Sequence, residues 1–234
     1  TPVAGTILYA SWGQGVESEV VPNRSFYDNG GAALPALKSR QLELGVKLQR
    51  EHHAIALAVF DIRRPVARDF CDDAGAHCMR RTDGVARHRG VEASMEARAG
   101  AWTARAAGQW LDARNAGASL PGVNGLRPTN VPRQSLRLQI GYDVAPAASV
   151  QAPLAHEGRR AVLPDNSVWL PSWSRLDLSA QWRTKLADRE VRWRAGIENV
   201  TDRRAWRESP YQFSHVYLYP LAPRSWRVSA STSF

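Results

Sequence analysis

The chain has 234 residues and is 44% hydrophobic, yet its longest unbroken apolar run, Ala54 to Phe60, falls far short of the roughly 18 residues a membrane-crossing helix needs. Aromatic residues at 9%, with nine Trp, exclude intrinsic disorder. The net charge of +9 is almost purely arginine, since Lys38, Lys47 and Lys185 are the only lysines, and it suits nucleic acid, anionic head groups or an acidic ligand.

The sequence opens at Thr1 without Met, basic n-region or apolar h-region, so no signal peptide is expected within it. Ten segments then alternate in a period of two: Thr6 to Gly13, Gln41 to Gln49, Ala54 to Arg63, Val91 to Arg98, Ala101 to Asp112, Leu136 to Tyr142, Ser149 to Glu157, Leu176 to Arg183, Val191 to Glu198 and Trp226 to Phe234. In Leu136, Leu138, Ile140 and Tyr142, interleaved with Arg137, Gln139 and Gly141, the apolar and polar faces separate cleanly, as successive strand residues point to opposite faces.

A soluble sandwich alternates in the same way, so three further features decide the solvent. The strands are about nine to eleven residues long, which suits a tilted strand crossing a bilayer. Their polar faces carry Arg, Lys and Glu at mid-strand, as a wet lumen allows. The connections also alternate in length. Short ones fall at Glu51 to His53, Ala99 to Gly100, Ala145 to Ala148 and Ala187 to Glu190. Long ones fall at Gly15 to Leu37, Arg64 to Gly84, Ala113 to Arg133, Gly158 to Ser172 and Val200 to Pro223. Short turns at one end and long loops at the other mark outer-membrane barrels. Trp102, Trp110, Trp182, Trp193 and Trp226 lie on the apolar phase, several near strand ends, where an interfacial girdle uses them. An open sheet of this size leaves bare edges, which lipid does not tolerate, so the chain is either a small complete barrel or the C-terminal part of a larger one.

Cys71 and Cys78 bracket a short polar, Gly-containing stretch. The spacing favours a disulfide staple in an oxidising compartment. Free thiols, or a zinc site completed by His77, His88 or the Asp72–Asp73 pair, are the alternatives.

The motifs resemble one family. Leu8-Tyr9-Ala10-Ser11-Trp12-Gly13-Gln14-Gly15, followed by Leu34 to Lys47, is similar to the mid-barrel signature of TonB-dependent siderophore receptors. Val59 to Arg64, Gly90-Val91-Glu92, Asn130-Val131-Pro132-Arg133, Arg175-Leu176-Asp177 and Gly196 to Asp202 resemble later strand starts and exits in family order, and Phe234 resembles the family's last residue. The resemblance implies an all-β fold: the C-terminal ten or so antiparallel strands of a larger, about 22-stranded transmembrane outer-membrane β-barrel. Residues 1–234 would then be a single partial domain, with the plug domain and the early strands absent from it.

The implied function is ferric-siderophore uptake across the bacterial outer membrane, energised through the TonB complex by way of an N-terminal region. Haem and cobalamin are cargo alternatives within the family. Iron would arrive already chelated, so neither a cofactor nor protein metal ligands are expected. Candidate ligand-binding residues are Trp206, Arg207, Tyr211, Phe213, Tyr217 and Tyr219 in the last long loop, with Trp169 and Trp173 before it, because aromatic faces and guanidinium groups suit a flat anionic chelate. Arg137, Arg183, Arg192 and Arg194 are candidates for lumen-facing contacts to a plug or an anionic substrate. Phe234 resembles the signal read by the barrel-assembly machinery. Outer-membrane lipid and lipopolysaccharide are the expected surroundings.

No nucleophile elbow, zinc-protease helix or phosphate loop is present, so an enzyme is not expected. The arginines are spread one per alternate strand position, which argues against nucleic acid. A small complete barrel with a structural or adhesive role is the rival reading.

Overall fold

The computed structural model describes residues 4–212, 215–232 and no others. Seventeen strands follow in chain order. The wall is built from β1 (Thr6–Glu17), β2 (Leu37–Gln49), β3 (His53–Cys71), β4 (Cys78–Ala99), β5 (Trp102–Ala116), β6 (Gln134–Ala145) and β7 (Ala148–Glu157). It continues through β10 (Trp173–Leu176), β11 (Leu178–Leu186), β12 (Arg189–Glu198) and β17 (Ser225–Thr232). These make one 11-stranded antiparallel sheet in the order β1-β2-β3-β4-β5-β6-β7-β11-β12-β17, with β10 also pairing β7. Three small ribbons lie beyond the wall: β8 (Arg160–Ala161) with β9 (Trp169–Leu170), β13 (Trp206–Glu208) with β16 (Tyr219–Pro220), and β14 (Tyr211–Gln212) with β15 (His215–Val216).

The register sorts the side chains into two faces. One carries Leu42, Leu44, Ile55, Leu57, Val59, Val91, Met95, Leu136 and Ile140, all exposed, which is the pattern of a surface that meets lipid rather than water. Aromatics bound this band. Trp12, Trp110 and Trp226 stand toward the long-loop end, and Trp102, Tyr142, Trp182 and Trp193 toward the short turns, where the Trp102 and Tyr142 rings lie 4.6 Å apart. The opposite face is a ladder of polar pairs: Tyr9 donates to Glu43 at 2.6 Å, Gln109 to Glu92 at 2.7 Å, Arg105 to Glu96 at 3.1 Å and Arg227 meets Glu198 at 3.0 Å. That face is concave, with a cavity of about 660 Å³ whose lining includes Lys47, Glu96, Arg105, Arg137, Arg175 and Asp177.

Two glycines let aromatic rings cross this inner face. A Cβ on Gly45 would come within 2.5 Å of the Tyr9 ring, and one on Gly90 within 2.5 Å of Phe60 and 2.6 Å of the Trp110 carbonyl oxygen. Phe60 is thereby packed with Leu111 and Ala113 in one of two small cores. Gly90→Ala forces the ring or the backbone aside and is expected to cost about 1–3 kcal/mol. A lowered temperature for loss of the compact gel band of the detergent-solubilised protein checks this, and Phe60→Leu in the same chain should restore only part of it, since the contact with the Trp110 carbonyl remains.

Three sequence expectations are corrected. The segment from Arg64 to Gly84 is not a loop but the upper half of a hairpin, β3–β4, paired to its tip at Cys71 and Cys78. Leu176 to Arg183 is not one strand, because the ladder lapses at Asp177. Asp177 donates its N–H to the Pro153 carbonyl at 2.9 Å, and proline has no N–H to return. The register is unbroken across the lapse, from Leu176↔Leu154 to Ser179↔Gln151. The last long connection is likewise not irregular, since much of it is the β13–β16 and β14–β15 ribbon.

Candidate functional site: the long-loop end

The long connections all gather at one end of the wall, and asparagines in the left-handed region hold them there. Asn130, Asn166 and Asn199 have φ of 60°, 58° and 53°, a conformation Asn adopts more readily than most residues. Asn199 is fully buried at the exit of β12. Its side-chain amide donates to the carbonyls of Arg203 at 3.0 Å and Ala222 at 2.9 Å, and its Oδ1 accepts the Arg203 N–H at 2.8 Å. Both feet of the last loop are thus tied to one side chain. Asp177 completes the joint by accepting the Asn199 N–H at 2.7 Å and an Arg175 N–H at 2.8 Å.

A second chain of contacts runs from the lumen wall outward. Arg137 donates to Glu157 at 2.7 Å, and Glu157 also meets the buried Arg160. Arg160 donates to Asn130 at 3.0 Å, and the same Asn130 oxygen accepts the Ser209 N–H at 2.8 Å at the end of β13. The inner wall, two loops and the last ribbon are therefore one hydrogen-bonded unit. Asn166 exchanges bonds with the Arg127 backbone at 2.9 and 3.0 Å and so joins the neighbouring pair of loops.

The last loop presents Trp206, Tyr217 and Tyr219 exposed by 44%, 43% and 47%, with Tyr211 half-buried. Arg207 is exposed beside them and pairs with Glu208 at 3.1 Å. Among the described residues, the candidates of the last loop thus share one segment, with Trp206, Arg207 and Tyr219 on the β13–β16 ribbon, Tyr211 on the β14–β15 ribbon and Tyr217 between β15 and β16. Phe213 and Phe234 lie outside the described residues. Trp169 is half-buried, its indole donating to Asn166 O at 2.7 Å and Arg159 lying 4.7 Å over its ring. Trp173 is corrected from a loop candidate. It begins β10 opposite Glu157 and is buried to 6% exposure, which removes its ring face from a ligand arriving at the loops.

Of the lumen candidates, Arg137 is bound to Glu157, Arg194 donates to Gln181 at 3.1 Å, and Arg183 donates to the Pro146 carbonyl at 2.9 Å. Arg183 and Arg192 lie directly opposite each other near the short-turn end, on the polar face. All four arginines occupy that face, but Arg137 stands at the loop end while Arg183 and Arg192 stand at the other. Asn130, Asn199 and Glu157 are the residues that a search for aromatics and cations passes over. Glu157 and Asn199 carry the signal of an Asn or Glu at a strand exit, and Asn130 that of an Asn in the run into β6.

The β3–β4 tip is closed by a Cys71–Cys78 disulfide. The β1–β2 loop packs on it: Cys78 donates its N–H to Phe26 O at 2.7 Å, and Val21, Tyr27 and Cys78 form the other small core. At the surface, His77 Nδ1 lies 3.0 Å from Asp28 Oδ1. The hydrogen bond to Asp28, with Asp72 nearby, raises the imidazole above its ordinary value of 6.5. A raised folded value means that the tie is complete below the unfolded value and is lost as pH rises through the folded one. Hydrogen exchange at residues 72–77 should therefore quicken, beyond the intrinsic rate change, as pH rises above the ordinary imidazole value of 6.5. Asp28→Asn should remove that step. Among the described residues no three His, Cys, Asp or Glu side chains come together as a metal site.

A family profile described as TonB dependent receptor-like, beta-barrel, matches residues 2–200. The chain belongs to the TonB-dependent receptor β-barrel family. The ferrichrome receptor FcuA of Yersinia enterocolitica is 29% identical over 213 residues, which are 88% of this chain and 27% of that protein. Among solved structures, the ferric preacinetobactin receptor BauA of Acinetobacter baumannii is 25% identical with a TM-score of 0.80, covering 100% of this chain and 35% of that one. The ferric yersiniabactin uptake receptor FyuA of Yersinia pestis, 18% identical with a TM-score of 0.78, shares the fold over 100% of this chain and 36% of its own. The chain thus spans about a third or less of the length of these relatives. TonB-dependent receptors are outer-membrane β-barrel receptors, not enzymes, and the exposed apolar band with its two aromatic girdles is the lipid-facing surface of such a barrel. The long-loop end is its extracellular end.

Proposed function

We propose that this chain is the C-terminal section of the barrel of a ferric-siderophore uptake receptor, the plug and earlier strands belonging to the rest of the protein. TonB acts through that remaining part, and the barrel-assembly machinery reads the terminal Phe234. The observation that carries the reading is the last loop's exposed Trp206, Tyr217 and Tyr219 with Arg207 at the extracellular end of a TonB-dependent receptor wall. Aromatic faces and a guanidinium group together take up a flat anionic chelate by stacking, cation–π contact and charge-assisted hydrogen bonds. The chelate then passes to the lumen, where Arg137 and Arg194 stand on the polar face.

The test is tryptophan fluorescence of the full-length receptor titrated with ferric hydroxamate, catecholate and carboxylate siderophores. One class is expected to quench saturably. Trp206→Ala with Tyr219→Ala should weaken it by about tenfold or more, the loss of two stacking faces. Saturable binding of haem or cobalamin with no response to any ferric siderophore would overturn the reading.

A further inference from the structure

The β1–β2 connection is a small body folded on itself. Within it Val21 donates its N–H to Ala32 O at 2.9 Å, Gly31 to Val21 O at 2.9 Å and Leu34 to Glu19 O at 2.8 Å. Its hold on the wall is on the first residues of β4. Phe26 O accepts the Cys78 N–H at 2.7 Å, and Asp28 donates its N–H to Cys78 O at 2.9 Å. The Asn29 side-chain amide exchanges bonds with the Arg80 backbone at 2.8 and 3.1 Å. Arg80 adds an ion pair to Glu19 at 2.6 Å, and Val21, Tyr27 and Cys78 are buried together with Phe26 and Leu34 against them.

That end of the β3–β4 hairpin is set apart from the rest of the wall. The register shifts between Pro65 and Ala67, and the pairs from Ala67↔Thr82 to Cys71↔Cys78 lie beyond the shift. Among them Arg68 stands opposite Arg81, and like charges across a ladder oppose pairing. The Cys71–Cys78 disulfide closes the last pair. Its two halves differ in access. Cys71 is exposed, whereas Cys78 is 3% exposed and packed beneath the β1–β2 connection.

We propose that the Cys71–Cys78 bridge is a thiol-operated latch that sets whether the β1–β2 loop is fixed to the hairpin tip or free of it. The thiolate of a low-molecular-weight thiol attacks the exposed Cys71 sulfur. The S–S bond breaks, and its electron pair leaves on the Cys78 sulfur, which takes up a proton. A second thiol displaces the first from Cys71 and departs with it as the small disulfide, so the bridge gains two electrons and two protons and the two thiols are oxidised. Losing a cross-link over so short a loop favours opening of the tip by on the order of fiftyfold. The bonds from Cys78 and Arg80 to the loop are lost as the tip opens, and a loop with its own internal bonds comes away as a unit. Two observations carry the proposal: the sulfur open to attack lies on the solvent side, and the loop is seated on the other half of the same bridge. Neither depends on the chelate reading.

The experiment is hydrogen exchange of the full-length receptor in detergent, with and without millimolar glutathione, alongside peptide mass mapping of the cysteines. Glutathione should appear first as a mixed disulfide on Cys71. Exchange over residues 19–34 and 72–80 should then rise at least tenfold, with residues 86–98 unchanged, and oxidised glutathione should reverse the rise. Cys71→Ser with Cys78→Ser should show the fast exchange without thiol and no response to it. The wild-type measurement decides the matter by itself if that variant does not assemble. A bridge that resists glutathione in the folded receptor would overturn the proposal. So would reduction that leaves exchange at 19–34 unchanged, or a rise that reoxidation does not reverse. Ferric-siderophore titration of the oxidised wild type tests the uptake reading separately.

Discussion

Asn199→Ala frees the last extracellular loop from the rim of the barrel. The substitution removes three hydrogen bonds, to Arg203 O, Ala222 O and the Arg203 N–H, at a site that is fully buried. At about 1 kcal/mol each they sum to about 3 kcal/mol. A residue without the Asn side chain at φ 53° adds about 1 kcal/mol more. The loss falls on loop docking, because the β12–β17 ladder from Val191↔Thr232 to Glu198↔Ser225 does not use this side chain. Hydrogen exchange over residues 199–224 of the full-length receptor should rise by two orders of magnitude or more, with β12 unchanged. Siderophore affinity should fall with it, since Trp206, Tyr217 and Tyr219 ride on that loop. Asn199→Asp keeps the oxygen that accepts the Arg203 N–H but turns a buried carboxylate oxygen toward the Arg203 and Ala222 carbonyls, so it should lose at least as much as Asn199→Ala.

Glu157→Ala acts from the wall side. Arg160 keeps only 5% of its side chain exposed and has Glu157 as its one carboxylate partner among the described residues. Leaving a buried guanidinium without its counter-charge costs about 3–5 kcal/mol. Arg137, which is 54% exposed, adds little on its own account. Arg160 also holds Asn130, and Asn130 holds Ser209, so the disturbance should reach the last ribbon. Hydrogen exchange should therefore quicken at 158–172 and again near 209, two segments far apart in sequence. Glu157→Gln retains an acceptor and should recover part of the loss. Quickening confined to 158–172 would show that the contacts from Arg137 to Ser209 do not act as one unit.

The wall was legible because a strand between lipid and a wet lumen must alternate: Leu42, Leu44, Val46 and Leu48 against Gln41, Glu43 and Lys47 give the strand, and the alternation of short and long connections separates a barrel from a soluble sandwich. Where both faces are wet the pattern vanishes. The upper β3–β4 hairpin reads as a polar loop for that reason, although its ladder runs on to Cys71↔Cys78. The β13–β16 ribbon is hidden in the same way. The lapse at Asp177 was written in Pro153, but only the pairing of β7 with the strand beyond the next loop brings the two opposite. The arginines looked evenly spread along the chain, and only the register of four strands collects Arg40, Arg63, Arg87 and Arg114 into a row. Trp173 was misplaced because aromaticity marks ligand faces and buried packing alike.

The central claim is energised uptake of a ferric siderophore through a barrel that this chain helps to build. Its most direct test is uptake of radioiron-labelled siderophores by cells carrying the full-length receptor as their sole route, before and after collapse of the proton gradient. Saturable uptake of one siderophore class, abolished when the gradient collapses and reduced by Asn199→Ala at equal receptor level, is the expected result. Uptake that persists without the gradient, or no uptake of any ferric siderophore by a receptor correctly folded in the outer membrane, would contradict it.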